Sequence, residues 1–274
     1  MTRKHGPMKR HLISFADSRM KGALNRLRNQ AIQMNFFDEI HLLTENDLNA
    51  DFKEQYKTIL SPRVRGYGYW LWKPAIIKQY LDKLMPDDEL YYVDAGCHFN
   101  PNGRKRLLEY ADVVRTSSQG VVAFALEKNC SERAFSKMDL MIHLNVQDSS
   151  EITDKGQICA THVFCKKSPE CTTFIDEWLN ICSTLHFIDD SPSEAENFPE
   201  FIEHRHDQSV FSILCKLHKI DTLSGNETWP EKGKRHWDSM QDYPIWDKRD
   251  LGWTCHLFGR LFRKIKKLAK QFFK

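Results

Sequence analysis

The sequence predicts an α/β fold, a mostly parallel sheet with helices on both faces. Two observations predict it. Short apolar runs alternate along the chain with segments whose apolar residues recur at spacings of three and four, and that alternation marks strand–helix–strand units. The chain also has 274 residues, 41% of them hydrophobic, which is enough to bury the two-sided core such a sheet needs.

The elements follow in order. HLISFA (11–16) reads as a buried strand, and RMKGALNRLRNQAIQMNF after it places Met20, Leu24, Leu27, Ala31 and Met34 on one helical face. EIHLLT (39–44) is a second strand, followed by a helix from about Asp47 to Tyr56. Pro74 suits the first turn of a helix whose apolar face is Ile76, Ile77, Tyr80, Leu81 and Leu84. ELYYVDAG (89–96) is a third strand, bounded by Pro86-Asp87-Asp88 and Gly96. A helix near 103–116 leads to the strand GVVAFAL (120–126). The second half is less regular. QICATHVFCKK (157–167) reads as a strand, PECTTFIDEWLNICSTL as a helix, DDSPSEAENFPE (189–200) as a polar loop, and HDQSVFSILCKLH (206–218) as a helix. Residues 225–255 carry many breaks and little periodicity. Asp17, Thr44 and Asp94 each fall where a strand stops, so the order alone puts them on one edge of the sheet, where open α/β sheets bind ligands.

No apolar stretch approaches the roughly 18 residues that span a bilayer, and MTRKHGPMKR followed by HLISFA is too short for a secretory leader. The eight cysteines are irregularly spaced without a CxxC pair, which argues against a zinc ribbon or thioredoxin motif and for a reducing cytoplasm. The net charge of +3 is unevenly placed. Seven cations and no acid lie in HLFGRLFRKIKKLAKQFFK (256–274), so removing them leaves the rest at about −4.

Three places carry chemistry. The first is RGYGYWLWKP (65–74). Gly66 and Gly68 permit positive φ and close approach, Arg65 and Lys73 are cations suited to a diphosphate, and Tyr67, Tyr69, Trp70 and Trp72 offer faces for a base or sugar. Core plugging is the competing role for about half of these rings. A helix beginning at Pro74 would aim its free N–H groups at whatever Lys73 touches, although neither a Walker loop nor a GxGxxG fingerprint is present. The second is Asp94, which ends its strand before Ala95-Gly96 and suits a divalent cation or a ribose hydroxyl, with a turn or helix cap as the competing role. The third is HRHDQS (204–209). Asp207 would serve as an N-cap, but capping does not call for His204 and His206 as well, and imidazole is both a metal ligand and an acid–base group.

In order, RGYGYWLWKPAII, ELYYVDAGC, QICATHVF with the EW-containing helix, and HRHDQSVFSIL, preceded by ADSRMKGALNRLRNQAIQMNFFDEIHLLTENDLNADF, resemble bacterial glycosyltransferases of surface-polysaccharide (lipopolysaccharide or capsule) gene clusters over residues 11 to 220. The resemblance implies a GT-A-like domain over residues 1–255 that transfers a sugar from a nucleotide-sugar donor to a polysaccharide or lipid-linked glycan. In that fold a strand commonly ends in Asp-x-Asp, which holds a divalent metal. Here the place reads Asp94-Ala95-Gly96, so a Mn²⁺ or Mg²⁺ ion would rest on Asp94 with a histidine such as His204, His206 or His98, or a side-chain cation would replace it. The implied donor contacts are Asp17, Arg65, Gly66, Lys73, Asp94, Gly96, Gln157 and Gln208. The candidate bases toward the acceptor are Asp207 first and His206 second.

In the tail, Phe258, Leu261, Phe262, Ile265, Leu268, Ala269 and Phe272 form one apolar stripe beside the cations. That pattern fits a helix lying on an anionic membrane surface, or alternatively a packed terminal helix. A peripheral position on the inner face of the cytoplasmic membrane follows. A nucleic-acid arm is disfavoured by the phenylalanine stripe and the acidic body. The alternative function is a non-catalytic, membrane-surface protein that binds nucleotides or glycans on a degenerate transferase fold.

Overall fold

The strands form because their residues alternate between two buried faces. In β1 (Arg10–Phe15), β3 (Glu89–Val93), β5 (Val121–Ala125) and β6 (Ile158–Lys166), successive side chains enter opposite cores, while the edge strand β2 (Glu39–Leu43) is mostly half-buried. Leu12, Tyr91, Val93, Val122, Phe124 and Phe164 pack on one side, and Ile13, Leu90, Tyr92, Val121, Ala123 and Val163 on the other. The computed structural model describes residues 7–230 and 237–250. The stripe expected at 256–274 lies outside the described residues.

Two short strands, β4 (His98–Phe99) and β8 (Ile245–Trp246), pair with each other, and β7 (Asp221–Ser224) closes the main sheet. The main order is β2-β1-β3-β6-β5-β7. Pairings β1–β2, β1–β3 and β5–β7 are parallel, while β6 runs antiparallel to both β3 and β5. Five strands therefore point one way and β6 the other, so the sheet is mostly parallel, as the strand–helix alternation predicts, with one antiparallel member. That polarity brings the ends of β1, β2 and β3 to the same edge as the start of β6. Asp17, Thr44, Asp94 and Gln157 share it.

Five longer helices cover the faces: α1 (Lys21–Met34), α2 (Trp72–Leu81), α3 (Arg104–Thr116), α4 (Pro169–Cys182) and α5 (Asp207–Leu217). The apolar faces of α1 and α3 bury Leu27, Ala31, Met34, Tyr110 and Val114 on one side. Those of α2, α4 and α5 bury Trp72, Ile76, Phe174, Trp178, Phe211 and Leu214 on the other. Trp178 has no exposed surface, and truncating so large a core side chain costs about 3–5 kcal/mol. The start of α4 is set by Ser168, whose hydroxyl accepts from the Cys171 N–H, with Pro169 next.

Two boundaries differ from expectation. The helix expected at 47–56 is a 3₁₀ turn, Glu45–Asp47, then a short helix, Ala50–Gln55, because Thr44 and Asn49 each cap a separate start. Helix α2 begins at Trp72 rather than Pro74, so Lys73 sits inside the first turn and its side chain turns inward. The seven described cysteines are unpaired thiols. Among the described residues no helix is long and apolar enough to cross a membrane.

Candidate active site at the strand edge

The aromatic turn owes its shape to its glycines. Residues 66 to 70 all have positive φ: Gly66 59°, Tyr67 57°, Gly68 97°, Tyr69 54° and Trp70 60°. Left-handed backbone costs roughly 1–2 kcal/mol per non-glycine residue, so three such residues within one turn need strong local support. The Trp72 indole N–H donates to the Gly66 carbonyl at 2.8 Å, and the Tyr69 N–H donates to the Arg65 carbonyl at 2.7 Å. A Cβ on Gly66 would lie 2.3 Å from the Trp70 ring. The turn folds Trp72 onto Phe15, with centroids 4.1 Å apart, and leaves Tyr69 and Trp70 against the His206 ring at 5.7 and 5.2 Å. Trp72 is thus a core plug, while Tyr69 and Trp70 roof the His206 ring.

Beneath the turn, Lys73 points its ammonium at two carboxylates. Its Nζ lies 3.2 Å from Asp94 Oδ1 and 3.4 Å from Asp207 Oδ2, and donates to the Ala160 carbonyl at 3.0 Å. The Tyr92 hydroxyl also donates to Asp94 Oδ1. Side-chain exposure separates the three: 4% for Lys73, 5% for Asp207 and 31% for Asp94. Burial works to deprotonate Lys73 but is outweighed by Asp207 and Asp94, and the net effect raises its proton affinity. Burial raises the Asp207 carboxyl to about 7, with Asp94 adding to the rise and Lys73 opposing it. This trio unites the three motifs singled out in the sequence.

His206, at φ 55° and ψ −130°, is held in a conformation that non-glycine residues avoid. Its Nδ1 donates to the Ile188 carbonyl at 2.6 Å, which fixes the tautomer, and its buried Nε2 makes no hydrogen bond. Burial lowers its proton affinity, so an unprotonated Nε2 sits under the aromatic roof, 3.7 Å from Asp190 Oδ1. His204 behaves differently. Its Nδ1 accepts from the Lys137 N–H at 3.1 Å and its Nε2 donates to the Phe187 carbonyl at 2.8 Å. With both nitrogens used by backbone, and burial pushing it down to about 3, His204 is a neutral brace. It does not complete the expected ligand pair with Asp94. His98 is likewise bonded through both nitrogens, to Gln30 and Asp250.

Other expected contacts are engaged within the chain. Asp17 caps the turn after β1 and pairs with Arg19 at 2.6 Å. Gln157 is fully buried, donating to Glu132 and Ser209 and accepting from Gln208 at 2.9 Å, so it positions Gln208 and the start of α5 and does not face a ligand. Gly96 serves close approach, but by the chain itself. A Cβ added at Gly96 would lie 3.3 Å from the Arg249 backbone, and the Asp250 N–H donates to the Gly96 carbonyl at 2.9 Å. Arg65 stands at the rim, half exposed, paired with Asp190 at 3.1 Å and Glu203 at 3.7 Å.

Sequence reasoning missed the residues that hold the 184–206 loop over the site. Lys137, almost wholly buried, donates to the His186 carbonyl, Asp189 and Ser191. Asp139 accepts from the Glu194 and Ala195 N–H groups and from His186. It also missed Asp247 and Asp250, carried across the Asp94 turn by β8. A lysine or aspartate flanked by apolar residues, as in SKMDLM, was the available signal. Two hollows of about 320 and 580 Å³ lie near β5 and β7, lined by residues such as Ser224, Asn226, Lys155 and Lys216. Neither includes Lys73, Asp94 or Asp207.

Among the described residues two groups of three could hold a metal ion: His11 with Glu39 and His41, and Cys97 with His162 and Asp247. Neither includes Asp94 or His204. The place between Asp94 and Asp207 is filled by the Lys73 ammonium, and His204 has no nitrogen left for an ion beside Asp94. The fixed cation there is Lys73.

No protein-family model matches the sequence, and no curated protein matches it significantly. Among solved structures the chain is similar to mouse xyloside xylosyltransferase 1 in its apo form, at 10% identity and TM-score 0.46, over 88% of this chain and 97% of that one. It is similar to the apo glycosyltransferase GlyE of Streptococcus pneumoniae, at 12% identity and TM-score 0.46, over 88% and 55%. It is also similar to a glycosyltransferase involved in glycosylating the major capsid of PBCV-1, at 11% identity and TM-score 0.45, over 87% and 93%. Likeness at this level is one of general arrangement.

Proposed function

We propose that the chain is a glycosyltransferase that takes a sugar from a nucleotide-sugar donor and passes it to a surface polysaccharide or lipid-linked glycan. One observation carries the reading: a buried ammonium shared by Asp94 and Asp207 at the edge where β1, β2 and β3 end, under an aromatic turn. Breaking a glycosidic bond to a diphosphate builds negative charge on the leaving group, and pre-placed cations stabilise it. Lys73 offsets the charge of Asp94, so an anionic donor is not repelled there, and Arg65 can leave its exposed acids for a phosphate oxygen.

Asp94 is the open member of the trio and meets the donor. The expected Mn²⁺ or Mg²⁺ stays in the proposal only as an ion accompanying the donor's diphosphate, held by that one carboxylate, which is how magnesium is commonly bound. It would supply charge neutralisation. Asp207 and His206 both suit removal of an acceptor proton near neutrality, Asp207 by its raised affinity and His206 by an Nε2 that makes no hydrogen bond. Both are about 3% exposed, so either acts only once Tyr69, Trp70 or the 184–206 loop moves aside.

That burial favours one competing reading, a non-catalytic nucleotide- or glycan-binding protein. Incubating the full chain with a panel of nucleotide sugars, with and without Mn²⁺, separates the two. Turnover that Asp94→Asn abolishes supports the transferase. Saturable nucleotide binding without turnover supports the binding protein. The proposal extends to the inner face of the cytoplasmic membrane, through residues 256–274, and to no nucleic acid.

A further inference from the structure

At the opposite end of β1 and β2 from Lys73, three side chains converge that the proposed transfer does not use. His11 faces Glu39 across the parallel pair, and His41 follows Glu39 by two residues on the same face of β2. Lys9 holds one Glu39 oxygen, Oε1, at 2.8 Å. The other, Oε2, lies 3.5 Å from His11 Nδ1 and 3.3 Å from His41 Nε2.

These separations are long for a charge-assisted hydrogen bond. They match the edges of a zinc tetrahedron, about 3.3–3.4 Å when metal–ligand bonds are about 2.0–2.1 Å. His11 is only 6% exposed, yet neither of its ring nitrogens has a hydrogen-bond partner. A buried imidazole left wholly unsatisfied is costly. A metal ion on Nδ1 would remove half of that cost. Behind the ring, Asp88 Oδ2 lies 3.8 Å from Nε2 and is itself fixed by the Met85 N–H at 3.1 Å, while Oδ1 accepts from the Lys9 N–H. A carboxylate behind a ligating histidine is the usual supporting arrangement. His41 is seated against Tyr80, with centroids 5.0 Å apart.

We propose that His11 Nδ1, His41 Nε2 and Glu39 Oε2 form a binding site for a zinc-class divalent ion. Two imidazoles and one carboxylate suit that ion. Glu39 and His41 are only partly buried, which leaves an entry path and a fourth position for water. The bound ion pins edge strand β2 to β1 and, through Asp88, to the turn before β3.

The other three-residue group is already closed by direct bonds. His162 Nε2 lies 2.8 Å from Asp247 Oδ1, and Cys97 Sγ lies 3.3 Å from the same oxygen. It is therefore the control. The test is equilibrium dialysis of the untagged, chelator-stripped full chain against Zn²⁺, with zinc measured by elemental analysis, and the same with Co²⁺ read by absorption. The proposal expects one tight zinc per chain, weakened at least tenfold in His41→Ala and in Glu39→Gln. It also expects a visible cobalt d–d band without thiolate charge transfer, and a zinc-dependent rise in thermal midpoint for the native chain but not for His41→Ala. Absence of stoichiometric zinc, unchanged affinity in both variants, or a thiolate charge-transfer band as the main cobalt signal would overturn it.

Discussion

Replacing Lys73 with methionine tests the heart of the site through stability alone. The substitution keeps the unbranched stem and removes the ammonium that lies 3.2 and 3.4 Å from Asp94 and Asp207. Asp207 is then a buried carboxyl without its cation, and leaving it ionised there costs up to about 3–5 kcal/mol, a cost that taking up a proton relieves. For a chain of this size each kcal/mol lowers the thermal midpoint by about 2–4 °C. The cost depends on pH, with a sign fixed by the Asp207 carboxyl. It titrates at about 7 in the folded chain and near 3.9 when unfolded. Between those values the native state holds more protons, so stability falls as pH rises through that window, by at most about 4 kcal/mol. Lys73, whose folded affinity is raised, keeps its contribution below about pH 10.4 and loses it only above. Without the ammonium, Asp207 binds its proton more tightly still. The variant's deficit is therefore small at pH 5, where Asp207 is neutral, and largest near pH 8. Urea denaturation of both proteins from pH 5 to 8 measures it. Adding Asp207→Asn to the variant should recover about 2 kcal/mol or more. A variant within about 1 kcal/mol of the native protein at pH 8, or a deficit independent of pH, would refute the buried trio.

Other outcomes follow from the same geometry. Gly66→Ala, strained by positive φ and by the Trp70 ring 2.3 Å away, should lose at least about 1–2 kcal/mol and weaken donor binding. Native-like melting and affinity would show that the turn is not built as described. If Asp207 acts as the base, kcat/KM should rise with pH through about 7 and lose that step in Asp207→Asn, so a flat profile in the native enzyme would remove it from the role. A chain ended after Cys255 should lose flotation with anionic vesicles, since about seven cations near such a surface contribute roughly 1 kcal/mol each. Unchanged flotation would clear the tail of anchoring.

Much of this architecture was legible in one sequence because strand and helix periods are local signals. ELYYV could be placed as a buried strand ending at Asp94 from its own residues, and the common edge of Asp17, Thr44 and Asp94 followed from order. The direction of β6 was not legible, since nothing in ICATHVFCK distinguishes a parallel from an antiparallel neighbour. Nor was the inward turn of Lys73, which depends on α2 starting at Trp72 once the glycines have reversed the backbone. Gln157 and His204 looked like ligands because polar groups in apolar surroundings do. Their partners, Glu132, Ser209 and the Lys137 and Phe187 backbone, lie far away in the chain, and only the fold shows that they satisfy them. Asp247 and Asp250 went unseen because the segment carrying them has no period to read.

The most direct test is transfer itself. Full-length protein is incubated with nucleotide sugars of each common base, and release of the nucleoside diphosphate is followed for the native chain and for Asp94→Asn. The account predicts turnover of at least one donor by the native chain and a loss of at least about 100-fold, roughly 2.7 kcal/mol in the barrier, in a variant that still folds. Equal turnover by a folded Asp94→Asn, or no binding of any donor by the native chain, would contradict it.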